Sequence, residues 1–239
     1  SLEILLAEAK EDTARIILMA QLCGELHLSS PDSSLKFGQA ALGLAQKINY
    51  RKGELYSMTG LGKLAWSIGD YSAALRLLLP ITKNGESLND PWLRINVWAF
   101  ITATYRDQGD YNEALKYSFK FTSIEDTYDK CNLCRHPNTA TASIYLEMGL
   151  LDSASYFLRR AFSYPLIFGD DGWMYMIAGR TQAGLKNYDS AFYFYHQSIK
   201  KLTLEDNQKD LAGAYYSIAA LFEKLKQNDS TLFYARKAL

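Results

Sequence analysis

Apolar and small residues recur along this chain at the spacing of a helix face, in stretches that come in pairs. LYSMTGLGKLAWSIG (55–69) is followed by YSAALRLLLPITK (71–83), and INVWAFITATYRDQG (95–109) by YNEALKYSFKFTS (111–123). Each places apolar or small side chains at i, i+3, i+4 and i+7, which predicts one buried stripe per helix. The break inside each pair is Gly-Asp, at Gly69 and Gly109. A glycine there predicts a helix C-cap with positive φ, and so short a connection forces the two helices antiparallel.

The pair is itself repeated. GDYSAALRLLLP from Gly69 returns as GDYNEALKYSFK from Gly109, GLLDSASYFLRR from Gly149 and KNYDSAFYFYHQ from Lys186. The small residues Ala74, Ala114, Ala154 and Ala191 follow one another at steps of 40, 40 and 37 residues, and a further 40 in either direction reaches Ser34 and Thr231. Six copies fit the chain, at 15–54, 55–94, 95–134, 135–171, 172–211 and 212–239. A side chain no larger than a methyl at the recurring position lets one helix approach its partner where a leucine would clash. One hairpin cannot bury its apolar face alone, so stacking predicts a single all-α solenoid, an α-α superhelix with a concave and a convex face. The shorter step spans SYPLIFGDDGW, where Pro165 and Gly169 stop a helix and Gly172 opens the next segment.

The repeated phrase resembles the tetratricopeptide repeat, whose pattern places Trp, Leu-Gly and Tyr on the first helix, then Ala, an aromatic and a closing Pro. Leu61-Gly62, Tyr71 and Ala74 take those places in the second copy; Trp98, Tyr105, Gly109, Tyr111 and Ala114 in the third. Tyr145, Gly149 and Ala154 follow in the fourth, Gly179, Tyr188, Ala191 and Tyr195 in the fifth, Tyr215 and Phe222 in the sixth. The period is longer than the usual ~34 residues and the closing Pro is mostly absent. Pro31 near the turn and Ser34 in the alanine position mark the first copy as an atypical cap.

The resemblance implies a binding groove lined by the first helix of each pair. Transferred by register, its candidate residues are Tyr56, Thr59, Lys63 and Trp66, then Asn96, Phe100 and Arg106, then Thr139 and Ser143, then Trp173, Met176 and Arg180, and finally Tyr216. Aromatic anchors interleaved with Lys63, Arg106 and Arg180 suit an extended peptide or protein segment of some acidic character. With 17 tyrosines in the chain, many of these rings also serve to fill the seams between repeats. The carboxylate clamp of the family's chaperone-binding variants is not evident, since Lys63 stands where an Asn is expected.

Composition narrows the function further. Lys and Arg number 26 against 26 Asp and Glu, so the basic surplus of a nucleic-acid binder is missing. No apolar run approaches the ~18–20 residues of a membrane span, and residues 1–20 lack the pattern of a secretory signal. Beginning at Ser1 and stopping at Leu239 within a helical pattern, the chain is expected to be a piece of a longer protein.

Little in the sequence points to catalysis. Cys131, Cys134 and His136 have metal-ligand spacing but lack a second pair, which leaves incidental cysteines, a disulfide in an oxidising compartment, or a metal or redox site. The three histidines, His27, His136 and His196, fall in different repeats, and Gly60-Leu61-Gly62-Lys63 lies within a helix pattern without a P-loop's spacing. Charge pairs such as Arg159-Arg160, Asp170-Asp171 and Lys200-Lys201 are expected as solvated faces or loops. No catalytic constellation assembles, no cofactor is implied, and the expected activity is non-catalytic binding of a protein or peptide segment. The alternative is an architectural scaffold or oligomerisation element, a homodimer included, which an exposed hairpin at 212–239 would favour. The opening segment through residue 79 is also similar to the sensory regions of bacterial tetratricopeptide-bearing sensor histidine kinases and related transcription regulators. That similarity implies an extracytoplasmic sensor for the kinases, or a cytoplasmic one for the regulators, with any kinase domain outside this chain.

Overall fold

A computed structural model describes residues 2–83, 90–123, 135–164, 171–204 and 208–239. The described residues form thirteen α-helices and one 3-10 turn, and no strand is found among them. The chain divides into two compact units, Ser1–Phe121 and Thr122–Leu239.

The first unit holds α1 (Leu2–Glu8), α2 (Asp12–Leu26), α3 (Pro31–Lys47), α4 (Arg51–Ser67), α5 (Tyr71–Leu78), α6 (Pro91–Asp107) and α7 (Tyr111–Ser123), the last ending at the division. Pairs α2/α3 and α4/α5 are antiparallel hairpins, and α4 packs on both α2 and α3. Pro80 cannot donate a backbone hydrogen bond, and α5 passes into a 3-10 turn at Leu79–Lys83. The core runs through Ile16, Ala20, Ala41, Ala45, Leu55, Leu78, Leu93, Val97 and Ile101.

The second unit holds α8 (Arg135–Glu147), α9 (Leu151–Ser163), α10 (Asp171–Gly184), α11 (Tyr188–Leu204), α12 (Gln208–Lys224) and α13 (Asn228–Lys237). Its hairpins are α8/α9, α10/α11 and α12/α13, with α10 packing on α8 and α12 on α11. One apolar cluster joins Ala142, Leu158 and Ala161 to Met174, Ile177 and Ala178, and a second joins Ala191 and Tyr195 to Ile218 and Leu221.

One turn geometry closes the hairpins α4/α5, α6/α7, α8/α9, α10/α11 and α12/α13. Gly69, Gly109 and Gly149 have φ of 83°, 81° and 74°, and Lys186 and Lys226 take the same role at 64° and 58°. At each, the residue's own N–H bonds the carbonyl three residues back, and the next N–H reaches the carbonyl five back, as in Gly109 N–H to Arg106 O and Asp110 N–H to Tyr105 O, 3.0 and 2.9 Å. This double bond is the Schellman motif, and it satisfies carbonyls that a helix end otherwise leaves open. Asp70 then caps the following helix, its carboxylate accepting from Ala73 N–H at 2.9 Å.

The recurring small residue is fully buried at Ala74, Ala114, Ala154 and Ala191, and Ser34 is equally buried in the first hairpin. There the hydroxyl donates to Cys23 O at 2.7 Å, so serine fills the alanine position without leaving its polar atom unpaired. Close approach is also read at Gly62, where an added Cβ would lie 2.7 Å from the Leu78 side chain. No described helix is long and apolar enough to cross a membrane.

Gly109→Ala should destabilise the chain by about 1 kcal/mol, because an L side chain is strained at this φ. Lys186→Gly should stabilise by somewhat less, since glycine adds unfolded-state entropy that offsets part of the relieved strain. Urea unfolding of both variants beside the parent checks the pair, and opposite signs are the expected result.

Candidate functional site

The first helices of the hairpins in the first unit converge their polar and aromatic side chains near their C-terminal ends. Trp66, on the last turn of α4, donates Nε1–H to Asp107 Oδ2 at 2.8 Å, crossing to the end of α6. Arg106 holds the other oxygen of that carboxylate, with Nε at 2.8 Å and Nη2 at 2.7 Å from Oδ1. Phe100, two turns earlier on α6, meets Trp66 edge to face at 5.1 Å and His27 at 6.0 Å. Lys63 Nζ sits 4.9 Å from the centre of the Phe100 ring, a cation–π contact. Ser67 ties the patch to the first hairpin by donating to His27 O at 3.0 Å. Two helices and the C-cap of a third thus bring together three rings in edge-to-face and tilted contact, two cations and one carboxylate, all of them only partly buried except the more open Asp107.

A second cluster sits at the other end of α4 and is a strut. Asp90 caps α6 by accepting from Trp92 N–H and Leu93 N–H at 3.1 and 3.2 Å. It also accepts from the Tyr56 hydroxyl at 3.1 Å and pairs with Lys52 at 2.9 Å. Tyr56 lies flat on Trp92, with centroids 4.5 Å apart and planes within 4°. Burial alone would raise the Asp90 carboxyl, but hydrogen bonds from Lys52, the Leu93 amide and Tyr56 outweigh it and hold the group below its ordinary value. Burial first, then the Asp90 charge, pushes the Tyr56 phenol well up, so it stays a donor. The pairing with Asp90 raises Lys52.

The sequence-derived groove residues therefore divide. Lys63, Trp66, Phe100 and Arg106 are gathered in the first cluster. Tyr56 belongs to the strut, and Asn96 donates Nδ2–H to Trp92 O at 2.8 Å beside it. Thr59 is fully buried, its hydroxyl donating to Leu55 O at 2.8 Å within its own helix. In the second unit Thr139 and Ser143 are also buried, with the Ser143 hydroxyl donating to Ala140 O. Trp173 and Met176 pack partly buried against the core cluster of α8, α9 and α10. Arg180 pairs with Glu147 at 3.0 Å, and Tyr216 is 69% exposed. Burial pushes the nearby Tyr195 phenol up to about 12, with the Arg180 charge opposing.

His27, Asp107 and Asp90 complete these clusters; by residue type His27 stands out only as one of three histidines in different repeats, and the two aspartates not at all. The signal for Asp90 was the Asp-Pro dipeptide, a helix start with its cap. Cys131 and Cys134 lie outside the described residues, as does the side chain of His136. Among the described residues no group of three or more His, Cys, Asp or Glu could hold a metal ion. Burial raises the Cys23 thiol, with the Ser34 hydroxyl and the Lys63 charge opposing, which disfavours the thiolate that a ligand or nucleophile needs.

Because Asp90 is held below its ordinary value of 3.8, its contribution to stability is complete above that pH and is lost as pH falls through the lower folded value. Asp90→Ala should cost about 1–3 kcal/mol at neutral pH, from the lost cap and the buried partners left behind. It should also flatten the acid limb of a stability–pH curve, measured by urea unfolding between pH 2 and 7.

No family model and no curated protein matches the sequence. Solved structures do match. A Rap protein complexed with competence and sporulation factor is similar at a TM-score of 0.78 and 15% identity, over 99% of this chain and 66% of that one. BtubC (BKLC) from P. vanneervenii is similar at a TM-score of 0.61 and 12% identity, over 87% of this chain and 89% of that one. The chain thus spans just under two thirds of the Rap protein's length. With the repeated hairpins described above, this shows a tetratricopeptide-like helical repeat fold.

Proposed function

We propose that the chain is a non-catalytic module that binds a protein or extended peptide segment, with the Trp66 cluster as an anchoring site. The observation that carries this reading is the meeting of Trp66, Phe100, Lys63 and Arg106 from two helices, with His27 from the C-cap of a third. Trp and Arg are the residue types that dominate binding energy when a partner covers them. The cationic ends of Lys63 and Arg106 at the patch favour an occupant bearing acidic side chains. The patch is also preorganised, because Asp107 fixes the Trp66 ring and the neighbouring guanidinium before any ligand arrives.

The finer assignment is the regulatory or sensory region of a bacterial signalling protein. It rests on the similarity of the opening segment to sensor-kinase and regulator repeats, and is supported by a structural neighbour, the Rap protein, complexed with competence and sporulation factor. Occupancy of the patch would then bias the packing of neighbouring hairpins by its differential affinity for two arrangements.

The test is capture from a lysate of the source organism by the immobilised chain, beside Trp66→Ala and Lys63→Ala/Arg106→Ala variants whose helicity is unchanged. A captured partner should bind the Trp66→Ala variant at least tenfold more weakly, consistent with loss of an anchoring aromatic. Equal binding to parent and both variants would remove this patch from the function.

A further inference from the structure

The second helices of the three hairpins in the second unit carry a pattern that neither the core nor the Trp66 patch uses. On α9, α11 and α13, Asp152, Asp189 and Asp229 stand at the N-terminal ends, exposed. Four residues on come Tyr156, Tyr193 and Phe233, which are 49%, 59% and 55% exposed. Three residues farther along come Arg159, His196 and Arg236, again exposed, with Arg160, Lys200 and Lys237 beyond them. The steps from helix to helix are 37 and 40 residues, the period of the repeat itself, so equivalent side chains fall into three rows. Read from the N-terminal ends, the rows are acidic, aromatic and basic.

The outer rows have an intrinsic cause, because a helix favours anions near its N-terminus and cations near its C-terminus. In the middle row Lys237 Nζ lies 4.8 Å over the Phe233 ring, but helix polarity gives no reason for an aromatic there. Each ring meets the next residue edge-on, Tyr156 with Phe157 at 5.2 Å, Tyr193 with Phe194 at 5.4 Å and Phe233 with Tyr234 at 5.1 Å. The inner ring of each pair is the one packed into the hairpin, and the outer ring faces solvent. Nor does the fold require an aromatic there: the equivalent exposed positions of α5 and α7 hold Arg76 and Lys116. Three exposed rings in register are the kind of patch that marks an interaction surface.

We propose that this face is where two copies of the chain associate about a two-fold axis through Tyr193. The row order makes the face its own complement. A half-turn about an axis that lies in the face along the aromatic row sets each ring opposite its own counterpart, Tyr156 on Tyr156, Tyr193 on Tyr193 and Phe233 on Phe233. The same half-turn lays each acidic row on the partner's basic row. This self-complementarity is the requirement for an isologous interface. A patch three helices wide and about 20 Å long covers about 500–600 Å² per copy, from the usual helix spacing of 8–10 Å and rise of 1.5 Å per residue. That lies at the low end of specific interfaces, so the dimer is expected to be weak and concentration-dependent. Its charged rows are solvent-exposed, so rising salt should weaken it.

Sedimentation of the chain over a concentration series tests the proposal, with circular dichroism confirming that each variant is folded. The parent should dimerise reversibly in the micromolar range, and Tyr193→Glu, which sets two carboxylates at the axis, should raise Kd at least tenfold. Reversing the acidic row (Asp152→Lys, Asp189→Lys, Asp229→Lys) should abolish self-association, as should reversing the basic row (Arg159→Glu, His196→Glu, Arg236→Glu). An equimolar mixture of the two reversed chains should associate again as a heterodimer. A parent that stays monomeric to about 100 μM, where a specific interface of this size is expected to pair, would overturn the proposal. So would a dimer indifferent to Tyr193→Glu, or reversed chains that do not recombine.

Discussion

The constraint on which the rest of this structure depends is the close antiparallel approach of two helices joined by a positive-φ turn. The turn at Gly69, Gly109, Gly149, Lys186 and Lys226 returns the chain immediately, with both bonds of the Schellman motif in place. Two helices leaving such a turn face each other within the first turn of the second one, where Ala74, Ala114, Ala154 and Ala191 are fully buried. A larger side chain there would separate the helices and open the core, since interiors are packed too densely to absorb it. Turn and alanine are therefore one requirement expressed at two positions. Their common spacing along the chain follows from that.

Most polar residues enter these seams with their hydroxyls paired inside the helix, Thr102 being a buried exception whose hydroxyl has no hydrogen-bond partner among the described residues. Thr59, Thr141 and Thr181 are fully buried, and each hydroxyl donates to a carbonyl four residues back in its own helix, at 2.8, 2.9 and 2.9 Å. Such back-bonding lets a small polar side chain occupy a close contact without an unpaired donor. The packing interface thus needs residues that are small more than residues that are apolar. This also explains why hydropathy along the first helices is so evenly spread, with small residues such as Gly53, Ser57, Gly60 and Ala65 doing what leucines do in wider seams.

Which parts could be read from sequence follows from the same geometry. The helical class, the hairpins and the glycine turns were legible because each rests on local chemistry repeated several times. Lys186 and Lys226 were less so, since a lysine at positive φ is dictated by the turn around it and not by its own preference. The groove residues were harder still. A register argument places a residue on a helix, but each first helix is flanked by neighbours on both sides, and burial depends on which of them covers that position. Thr59, Thr139, Met176 and Tyr216 occupy one column of the repeat, yet the first two are buried, Met176 is partly buried and Tyr216 is exposed. Trp66 and Arg106 share another column, but the feature that makes them a site is Asp107, whose role depends on the end of α4 meeting the end of α6.

The two proposed surfaces use opposite parts of the hairpin, the first helices in one unit and the second helices in the other. A repeat fold permits this because stability is assembled from each hairpin and its contacts with immediate neighbours. Solvent-facing positions are then released from the packing problem, and chemistry accumulates where the period stacks it. In the first unit the stacking is of unlike residues, Lys63 beside Phe100 and Trp66 beside Asp107, which makes a compact patch with direction and charge. In the second unit like residues stack, aspartate on aspartate and ring on ring, which makes a surface that repeats along one axis. A surface of unlike residues discriminates among occupants, whereas a surface of repeated rows is best matched by another set of rows. The same face of a second copy is such a set, and that is the physical reason the two faces take different partners.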